Sequence, residues 1–414
     1  MGLYQIGITL LKLGLYLSIP FSRKNRKFLQ GRKGVFKKLE AFASIRKEKP
    51  CFWFHCASLG EFEQGRPVIE ALKERYPDAC IILTFFSPSG YEVRKNYELA
   101  DLVCYLPLDG YFNARRFVKL VRPTVAIFIR YEFWYGYLNA LQRQNIPSIS
   151  VSTLLRTDTV AFRWYGGFYR RMLRLITHYF VQDELTGKLL ENIGIRSTTL
   201  AGDTRFDRVA ALCHQAETIE LVEEFKGDEK VMVIGSNWRP DTELLLPFIQ
   251  EFEEEMKFII APHNIEEEHL QYIEEGLPYK TVRYSQAKEN TISNYRALLI
   301  DNVGMLTSLY RYGSYAYVGG AFGKSLHNIL EPATFGMPLF FGNRSYQHVR
   351  EANDLLKLKG AVTVNDTKDL RYKFLTVWND EEKQQQVVEI CQNYVQTHTG
   401  ATKKVVGYLE RYLS

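Results

Sequence analysis

The stretch 51–72 constrains the fold most strongly, because in it an apolar strand turns directly into a helix. The run 51–54 is apolar, the turn 57–60 consists mainly of small residues, and apolar residues then recur at helical spacing as far as Leu72. Turns of this kind lie at the carboxyl edge of a parallel sheet, which is where open α/β sheets bind their ligands. Three residues are therefore expected at a ligand-binding edge: Ser58, Gly60 and Glu61.

These residues alone leave two roles open for Glu61. Ser58 and Glu61 have the spacing of a capping box, in which the serine caps the helix and the glutamate reaches back to it. This is the commoner role of the motif. The other role is a carboxylate presented to a ligand beside Gly60, whose missing side chain lets another molecule approach the backbone closely.

The alternation of apolar strands and helical periodicity continues to about residue 200 and predicts a βαβ series with a parallel sheet. Further strands are predicted at 79–85, 102–106, 124–129, 148–152, 178–181 and 198–201. The polar sequence Arg130-Tyr131-Glu132 follows one of these strands directly. Glu132 is either a second carboxylate at the ligand edge or an acidic residue in a helix's first turn, and the sequence leaves both open.

The second half of the chain restarts the same pattern, with strands predicted to begin at Val231, Phe258, Ala297 and Tyr315. The last of these leads into Gly319-Gly320. Glycines before a helix N-terminus leave free N–H groups and make a natural phosphate site, although the same glycines also suit a tight turn. The predicted fold class is therefore α/β, with two Rossmann-like domains facing a central cleft, as in a GT-B glycosyltransferase.

Composition and pattern divide the chain into five segments. The acidic segment 215–230 lacks a clear strand and is predicted to be the hinge between the two halves. The five segments are an amino-terminal helix with a basic arm (1–49), an N-terminal Rossmann-like domain (50–214), the hinge (215–230), a C-terminal Rossmann-like domain (231–380), and a C-terminal helix predicted to pack back on the N-terminal domain (381–414).

The positive charge is concentrated near the amino end. Residues 21–49 contain eleven lysines and arginines against two glutamates, a net +9, whereas the whole chain carries +6. The remainder is slightly acidic, which argues against a nucleic-acid-binding body. Residues 3–20 are mostly apolar, and an apolar segment beside a basic arm is typical of proteins held at an anionic membrane. The alternative is a core helix followed by a solvated run of charges.

Cysteine and histidine spacings give no sign of a metal site. The six cysteines form no CxxC pair, and the eight histidines include no HExxH sequence. Several cysteines lie in apolar strand-like runs, which predicts buried free thiols in a reducing compartment.

Several motifs taken together resemble the bacterial Kdo transferases, where Kdo is 3-deoxy-D-manno-octulosonic acid. They occur in family order: Phe54-His55-Cys56-Ala57-Ser58-Leu59-Gly60-Glu61, the segment 84–90, Glu132-Phe133-Trp134, Gly202-Asp203-Thr204-Arg205-Phe206-Asp207, and Gly319-Gly320 with His327-Asn328-Ile329-Leu330-Glu331-Pro332. The resemblance extends from the amino-terminal segment to the last helix.

The resemblance implies a membrane-associated glycosyltransferase of lipopolysaccharide biosynthesis, at the cytoplasmic face of the inner membrane. The positive-inside rule gives the same orientation. Members of the family transfer Kdo from CMP-Kdo to a lipid A precursor, with inversion and without a metal or other cofactor. The resemblance assigns 50–214 to the acceptor and 231–380 to the CMP-sugar.

By resemblance, Glu61 corresponds to the general base, and Glu132 and Arg205 correspond to residues that stabilise the transition state. The residues assigned to substrate and nucleotide binding are Ser58, Gly60, Ser236, Pro262, His263, Gly304, Met305, Leu306, Asn328, Ile329, Leu330 and Glu331. Three positions depart from the family pattern. Arg205 stands where the family usually has lysine, Pro262-His263-Asn264 where it has Pro-Arg-His, and Leu326 where a glycine is common.

Two other hypotheses fit the same predicted fold. One is another GT-B enzyme that uses a nucleoside-diphosphate sugar, either a glycosyltransferase or an epimerase. The other is a non-catalytic membrane-associated binding protein. Thermal unfolding tests the first hypothesis, because UDP should protect an enzyme that uses a nucleoside-diphosphate sugar, whereas CMP should protect a Kdo transferase. Turnover of CMP-Kdo would exclude the second hypothesis.

Overall fold

The computed structural model describes residues 2–46, 49–277 and 280–413. The chain forms two compact units, one comprising Met1–Asp207 and Thr399–Ser414 and the other Arg208–His398. The segment 215–230, predicted as a hinge, lies inside the second unit. There the helix Glu220–Lys226 buries Val222 and Phe225. The segment 381–414, predicted to pack on the first domain, is divided between the two units.

The first unit contains a parallel sheet of seven strands in the order β3-β2-β1-β4-β5-β6-β7. The strands are β1 Cys51–Cys56, β2 Cys80–Phe85, β3 Leu102–Tyr105, β4 Val125–Ile129, β5 Ser148–Thr153, β6 His178–Val181 and β7 Thr198–Leu200. Alternate residues of β1 enter different apolar clusters on the two faces of the sheet, Trp53 on one side and Phe52 and Phe54 on the other. Burial on both faces explains why these strands are nearly continuous apolar runs.

Helices connect and cover these strands. They are α1 Gly2–Leu17, α2 Arg23–Gln30, α3 Val35–Ile45, α4 Leu59–Arg75, α5 Pro88–Arg94, α6 Tyr111–Val121, α7 Tyr135–Arg143, α8 Gly167–Leu173, α9 Glu184–Asn192 and α10 Thr204–His214. The turn from β1 into α4 is the predicted strand–helix junction, with Ser58 as the N-cap.

The second unit repeats the architecture with a parallel sheet in the order β10-β11-β9-β8-β12-β13-β14. Its strands are β8 Val231–Asn237, β9 Lys257–Pro262, β10 Thr281–Arg283, β11 Ala297–Leu299, β12 Tyr315–Val318, β13 Leu339–Gly342 and β14 Ala361–Val364. Its helices are α11 Glu220–Lys226, α12 Arg239–Phe252, α13 Glu267–Gly276, α14 Leu306–Tyr310, α15 Leu330–Thr334, α16 Arg350–Leu358, α17 Thr367–Trp378 and α18 Glu381–Thr397. The last helix, α19 Ala401–Leu409, belongs to the first unit. The two parallel sheets confirm the predicted two-domain α/β class.

The basic arm predicted before residue 50 is folded onto the first unit. Helices α2 and α3 bury Phe28, Leu39 and Phe42. The Arg32 guanidinium lies 3.6 Å from the centre of the Phe28 ring and donates to the Phe86 and Leu106 carbonyl oxygens at 2.7 and 2.9 Å. Arg32 is therefore not part of a run of solvated charges, because its guanidinium donates to carbonyl oxygens of the loops that follow β2 and β3.

Helix α1 presents an apolar stripe to solvent. Ile6, Leu10, Leu13 and Leu17 have the spacing of one helix face, and each is more than half exposed. The opposite face contacts the unit through Tyr4, whose hydroxyl donates to the buried carboxylate of Asp109. Within the described residues, none of the helices combines the length and the apolar character needed to cross a bilayer.

Candidate active site and nucleotide-binding site

Glu61 lies in the first turn of α4 at the carboxyl edge of the first sheet. Its backbone N–H donates to the Ser58 hydroxyl at 3.5 Å, and its carboxylate accepts a hydrogen bond from the Ala57 N–H. The residue therefore does take part in capping its helix. The carboxylate is nonetheless unusual for a cap, because the residue is buried, with a relative exposure of only 9 %.

Burial is the main reason why the pKa of the Glu61 carboxyl is raised, to about 7. The negative charge of Glu132 raises it further, whereas the Ala57 N–H and the positive charge of Arg130 oppose the shift. A carboxyl group with a pKa near the working pH is suited to general-base catalysis, because it is available as the base yet binds a proton well. Capping and catalysis are compatible roles for this residue.

Glu132 lies between the end of β4 and the start of α7. It is close enough to Glu61 for its negative charge to raise the pKa of Glu61. Burial raises the pKa of Glu132, and the neighbouring Trp134 indole opposes the rise. Strand β4 pairs directly with β1, with His55 opposite Phe128. The sheet order therefore brings the two predicted carboxylates to one edge.

Arg205, predicted from the resemblance, is held by a neighbouring acid. Its Nε and Nη2 donate to Asp203 Oδ2 at 3.0 and 2.8 Å, and the same oxygen accepts from Gln64 Nε2 at 2.9 Å. Burial acts to raise the pKa of Asp203, but Arg205 and then Arg130 hold it below its usual value. Because Gln64 is on α4, this network joins the Arg205 segment to the helix that carries Glu61.

Strained backbone conformations occur at the carboxyl edges of both sheets. Arg130 after β4, Ser152 in β5 and Ser236 in β8 have φ values of 63°, 54° and 53°. Residues other than glycine adopt this left-handed region at a cost of about 1–3 kcal/mol, and such strain is concentrated at functional sites. Ser236, predicted at the nucleotide site, is one of the three.

In the second unit, Glu331 connects two of the predicted nucleotide-binding segments. Its carboxylate oxygens accept from Asn328 Nδ2 and from Thr307 Oγ1, both at 2.8 Å. Thr307 belongs to α14, which begins shortly after Gly304, whose φ is 99°. The structure thus brings the segments around 304–307 and 328–331 together.

The glycine loop does not lead directly into a helix. Gly319 and Gly320 are followed by a coil that reaches α15 only at Leu330. A Cβ on Gly319 would lie 2.5 Å from Asn237 Cα, and Gly320 has a φ of 95°. The glycines are therefore needed for a close turn, and the expectation of a phosphate site formed by a glycine loop and a helix N-terminus is wrong here.

Asp241 fixes this loop to the end of β8. Its buried carboxylate accepts from the Gly320 N–H at 3.0 Å, the Trp238 N–H at 2.9 Å and the Tyr317 hydroxyl at 3.0 Å. A carboxylate with three such donors holds the loop at a defined place on the sheet edge.

Three aromatic rings stack beside the loop. The His263 ring lies over both Trp238 and His327, with centroids 4.2 and 4.5 Å away. Trp238 Nε1 donates to His327 Nε2 at 2.8 Å. Burial, with a contribution from His263, lowers the pKa of His327 to about 4, so its ring is a neutral acceptor at neutral pH. His263 stands where the family has Arg, and here it serves as a stacking ring.

The other predicted residues differ in accessibility. Gly60 and Gly304 are exposed, and Ser58, Pro262, Met305 and Leu306 are half-buried. Ile329 and Leu330 are both 1 % exposed and belong to the protein interior, and the Leu330 N–H donates to Asn328 Oδ1, so the structure does not present these two residues to a ligand. The residues brought to the two sheet edges are thus mainly the polar and glycine positions.

Sequence reasoning passed over four residues of these edges: Arg130, Asp203, Trp238 and Asp241. Arg130 and Asp203 are within motifs already recognised, directly after the end of β4 and directly before a helix. Asp241 stands three residues after the N-cap Trp238, which is the capping-box spacing.

Among the described residues, no group of three or more potential ligands is placed to hold a metal ion.

The comparisons with known proteins agree with this arrangement. The family model described as 3-deoxy-D-manno-octulosonic-acid transferase (kdotransferase) matches residues 29–208. The chain is 24 % identical to the 3-deoxy-D-manno-octulosonic acid transferase of Haemophilus influenzae over 87 % of each protein. It is 26 % identical to the enzyme of that name from Aquifex aeolicus, over 79 % of this chain and 85 % of the relative.

The fold is also similar to that of a solved structure with a different name. The UDP-GlcNAc 2-epimerase of Neisseria meningitidis superposes with a TM-score of 0.62 at 16 % identity, covering 88 % of this chain and all of that one. At this identity the likeness concerns the fold alone. The two parallel sheets therefore define a protein of the GT-B-like class.

Within that class, the sequence relatives are Kdo transferases over most of the chain. The family model matches residues 29–208, and the relatives cover most of the chain at 24–26 % identity, so the chain is similar to the 3-deoxy-D-manno-octulosonic-acid transferases. The resemblance predicted from the motifs is thereby confirmed.

Proposed function

We propose that the protein transfers Kdo from CMP-Kdo to a hydroxyl group of a lipid A precursor, with inversion at the reacting carbon. The observation that carries the proposal is Glu61, a buried carboxyl with a pKa of about 7 at the carboxyl edge of a parallel sheet. Its surroundings fit the base that such a transfer needs, and the relatives bear the name of this transferase.

In the proposed step, the acceptor hydroxyl oxygen forms a bond to the reacting carbon of Kdo and gives its proton to Glu61. The bond from that carbon to the CMP phosphate oxygen breaks, and its electron pair leaves with CMP. Glu132 and Arg205 are the residues proposed to stabilise the charges of the transition state. Asp203 holds the Arg205 guanidinium in one orientation, which pre-organises it for that task.

We assign the nucleotide to the second unit. The assignment is supported by the way Glu331 joins the segments 304–307 and 328–331, and by the loop that Asp241 fixes beside the stacked rings. A carboxylate offers about four acceptor positions, so Glu331 retains capacity for ribose hydroxyls beyond its two bonds to Asn328 and Thr307.

We further propose that the protein acts at the cytoplasmic face of the inner membrane, lying on the surface through α1. The support is the exposed stripe of Ile6, Leu10, Leu13 and Leu17 together with the exposed basic residues of α2, among them Lys24. An apolar stripe plus a basic patch gives the two signals that stable attachment to an anionic surface requires.

A transfer assay tests the proposal directly. The purified protein is incubated with CMP-Kdo carrying labelled Kdo and with a tetra-acylated lipid A precursor, and we expect label in the lipid. Thermal unfolding in the presence of CMP or UDP gives an independent test, and CMP should raise the melting temperature more. Protection by UDP alone, with no labelled lipid, would favour an enzyme that uses a nucleoside-diphosphate sugar.

A further inference from the structure

Arg130 occupies an unusual place at the carboxyl edge of the first sheet. It is the residue directly after β4, with a φ of 63°. Its backbone N–H donates to the Val151 carbonyl oxygen at 2.8 Å, and its own carbonyl oxygen accepts from the Ser150 hydroxyl, also at 2.8 Å. Strand β5 thus holds this strained turn in place and fixes the direction in which the side chain starts.

The Arg130 side chain has donor capacity that the protein does not use. Its Nε is buried and has no hydrogen-bond partner among the described residues. Arg205 differs, because its Nε and Nη2 both donate to Asp203. A buried donor left without a partner is unfavourable, which suggests that a bound group supplies the missing acceptor.

The position of the Arg130 guanidinium near Glu61 indicates which kind of ligand group would accept its free hydrogen bond. The positive charge of Arg130 lowers the pKa of both Glu61 and Asp203, so it lies within electrostatic range of both carboxylates. Glu132 also acts on Glu61. An anionic group brought to Glu61 would therefore meet two carboxylates, and a cation has to balance them.

The donor sugar under the proposed function carries such a group on its reacting carbon. Kdo is a 2-ulosonic acid, so a carboxylate is attached directly to the carbon that the acceptor oxygen attacks. When that oxygen is in reach of Glu61, the sugar carboxylate lies a few ångströms away. At such a distance the sugar carboxylate and the carboxylates of the protein would repel each other.

We propose that Arg130 binds the carboxylate on the reacting carbon of the donor sugar. The inference rests on the proposed function for the identity of the sugar, and on the unused donor, the strained turn and the nearby carboxylates for the place. A guanidinium suits this task because Nε and one Nη form a planar fork that matches a carboxylate.

The test compares Arg130→Gln with a matched control, Arg122→Gln. Arg122 is an exposed residue of the same unit that also has a positive φ, 42°, so both changes replace the side chain at a left-handed position. We expect Arg130→Gln to lower kcat/KM for CMP-Kdo by about 10- to 100-fold, the range for loss of a charge-assisted pair. Arg122→Gln should have the kcat/KM of wild type, and Arg130→Lys should have a value between those of Arg130→Gln and wild type.

Two further measurements distinguish carboxylate binding from two alternative roles of Arg130. If Arg130 only tuned Glu61, the loss would disappear well above pH 7, where the base is ionised in both proteins, and that result would overturn the proposal. If the anion were a phosphate of the lipid acceptor, removing the acceptor phosphates would abolish the difference between wild type and Arg130→Gln. That result would overturn it too.

A binding experiment separates this inference from the proposed function itself. Thermal unfolding is measured with free Kdo and with its C1 methyl ester, which lacks the charge. Wild type and Arg122→Gln should be stabilised more by the acid, and Arg130→Gln should respond equally to both. That pattern without turnover of CMP-Kdo would support the carboxylate site while rejecting the function. Turnover with the same acid preference in Arg130→Gln would reject the carboxylate site alone.

Discussion

The carboxyl edges of the two sheets are built from similar strands but use their charged residues differently. At the first edge, Glu61 is buried and Glu132 is half-buried, both have raised pKa values, and Arg130 has a buried donor without a partner among the described residues. At the second edge, the carboxylates of Asp241 and Glu331 are engaged by donors from neighbouring loops. The first edge keeps reactive groups available, whereas the second uses its charges to shape a binding surface.

This difference suggests a division of labour between the units. Two neighbouring carboxyl groups with raised pKa values beside a buried donor without a partner are typical of places where chemistry occurs. Carboxylates that accept hydrogen bonds from several neighbouring segments are typical of positions that hold loops in place. We therefore expect changes at the first edge to affect turnover and changes at the second to affect affinity for the nucleotide.

The largest expected effect is that of Glu61→Gln, which removes the base while keeping the size of the side chain. We expect kcat to fall by about 10²–10⁴, with little change in CMP binding. The control is Glu74→Gln, an exposed glutamate on the same helix α4. Near-normal turnover in Glu61→Gln would leave this residue with its capping role only.

The same variant should not be destabilised at neutral pH. The folded-state pKa of Glu61 lies above its ordinary value of 4.5, so its contribution to stability is fully present below pH 4.5 and is lost as the pH rises through about 7. Glutamine avoids this loss. At pH 8, we expect Glu61→Gln to unfold at a temperature no lower than wild type, which shows that lost activity is not lost folding.

A smaller effect is expected at the second edge. Glu331→Ala removes the acceptor shared by Asn328 and Thr307, and we expect CMP affinity to fall about tenfold while the fold is retained. Glu275→Ala, an exposed position on α13, is the control. A dissociation constant equal to that of wild type, measured by calorimetry, would rule out the contact and break the proposed division of labour.

Removing residues 1–20 should leave both edges intact and change only attachment to membranes. We expect the shortened protein to fold, to bind CMP, and to bind anionic vesicles only at low salt, because screening limits charge attraction to about 8–10 Å near physiological ionic strength. It should act more slowly on a membrane-embedded acceptor. Sedimentation with vesicles at two salt concentrations measures this.

Two outcomes of that experiment would contradict the membrane assignment of α1. If the shortened protein remains on vesicles at high salt, the attachment lies elsewhere, for instance at the exposed side chain of Trp164. If it fails to fold, α1 is a core helix whose contact between Tyr4 and Asp109 the unit requires.

The smallest effect expected is a shift in pH dependence. Since the charge of Glu132 raises the pKa of Glu61, Glu132→Gln should move the acidic limb of kcat/KM to lower pH. A limb that stays in place would show that the two carboxylates are not coupled, whatever the change in rate. This prediction sharpens the comparison, because the carboxylates of the second edge should produce no such shift.

Much of the fold was predictable from sequence, because buried parallel strands are apolar runs with clear ends. All seven strands of the first sheet were predicted to within a few residues, including β4 at Val125–Ile129. In the second sheet, Thr281–Arg283, Leu339–Gly342 and Ala361–Val364 were not predicted. Two of these strands, Thr281–Arg283 and Ala361–Val364, are at the sheet edges, where half-buried polar residues such as Arg283 and Thr363 interrupt the apolar run.

The site was predictable only in part, since its chemistry depends on strand order. The motifs located Glu61 and Glu132, but their coupling arises because β4 lies beside β1 in the sheet although two strands separate them in sequence. The role of Gly319 and Gly320 was also not determined by sequence, because the close approach to Asn237 appears only once β12 is placed beside β8.

The pH dependence of kcat/KM for wild-type protein tests the central claim most directly, namely that Glu61 is a base tuned by burial. The profile is measured from about pH 4 to about pH 9 with CMP-Kdo as the varied substrate. Our account predicts an acidic limb with a midpoint near pH 7, the pKa of the buried Glu61 carboxyl, and predicts that the residual rate of Glu61→Gln lacks this limb. A midpoint near 4.5, the ordinary value for a glutamate, would contradict it, as would the same limb in Glu61→Gln.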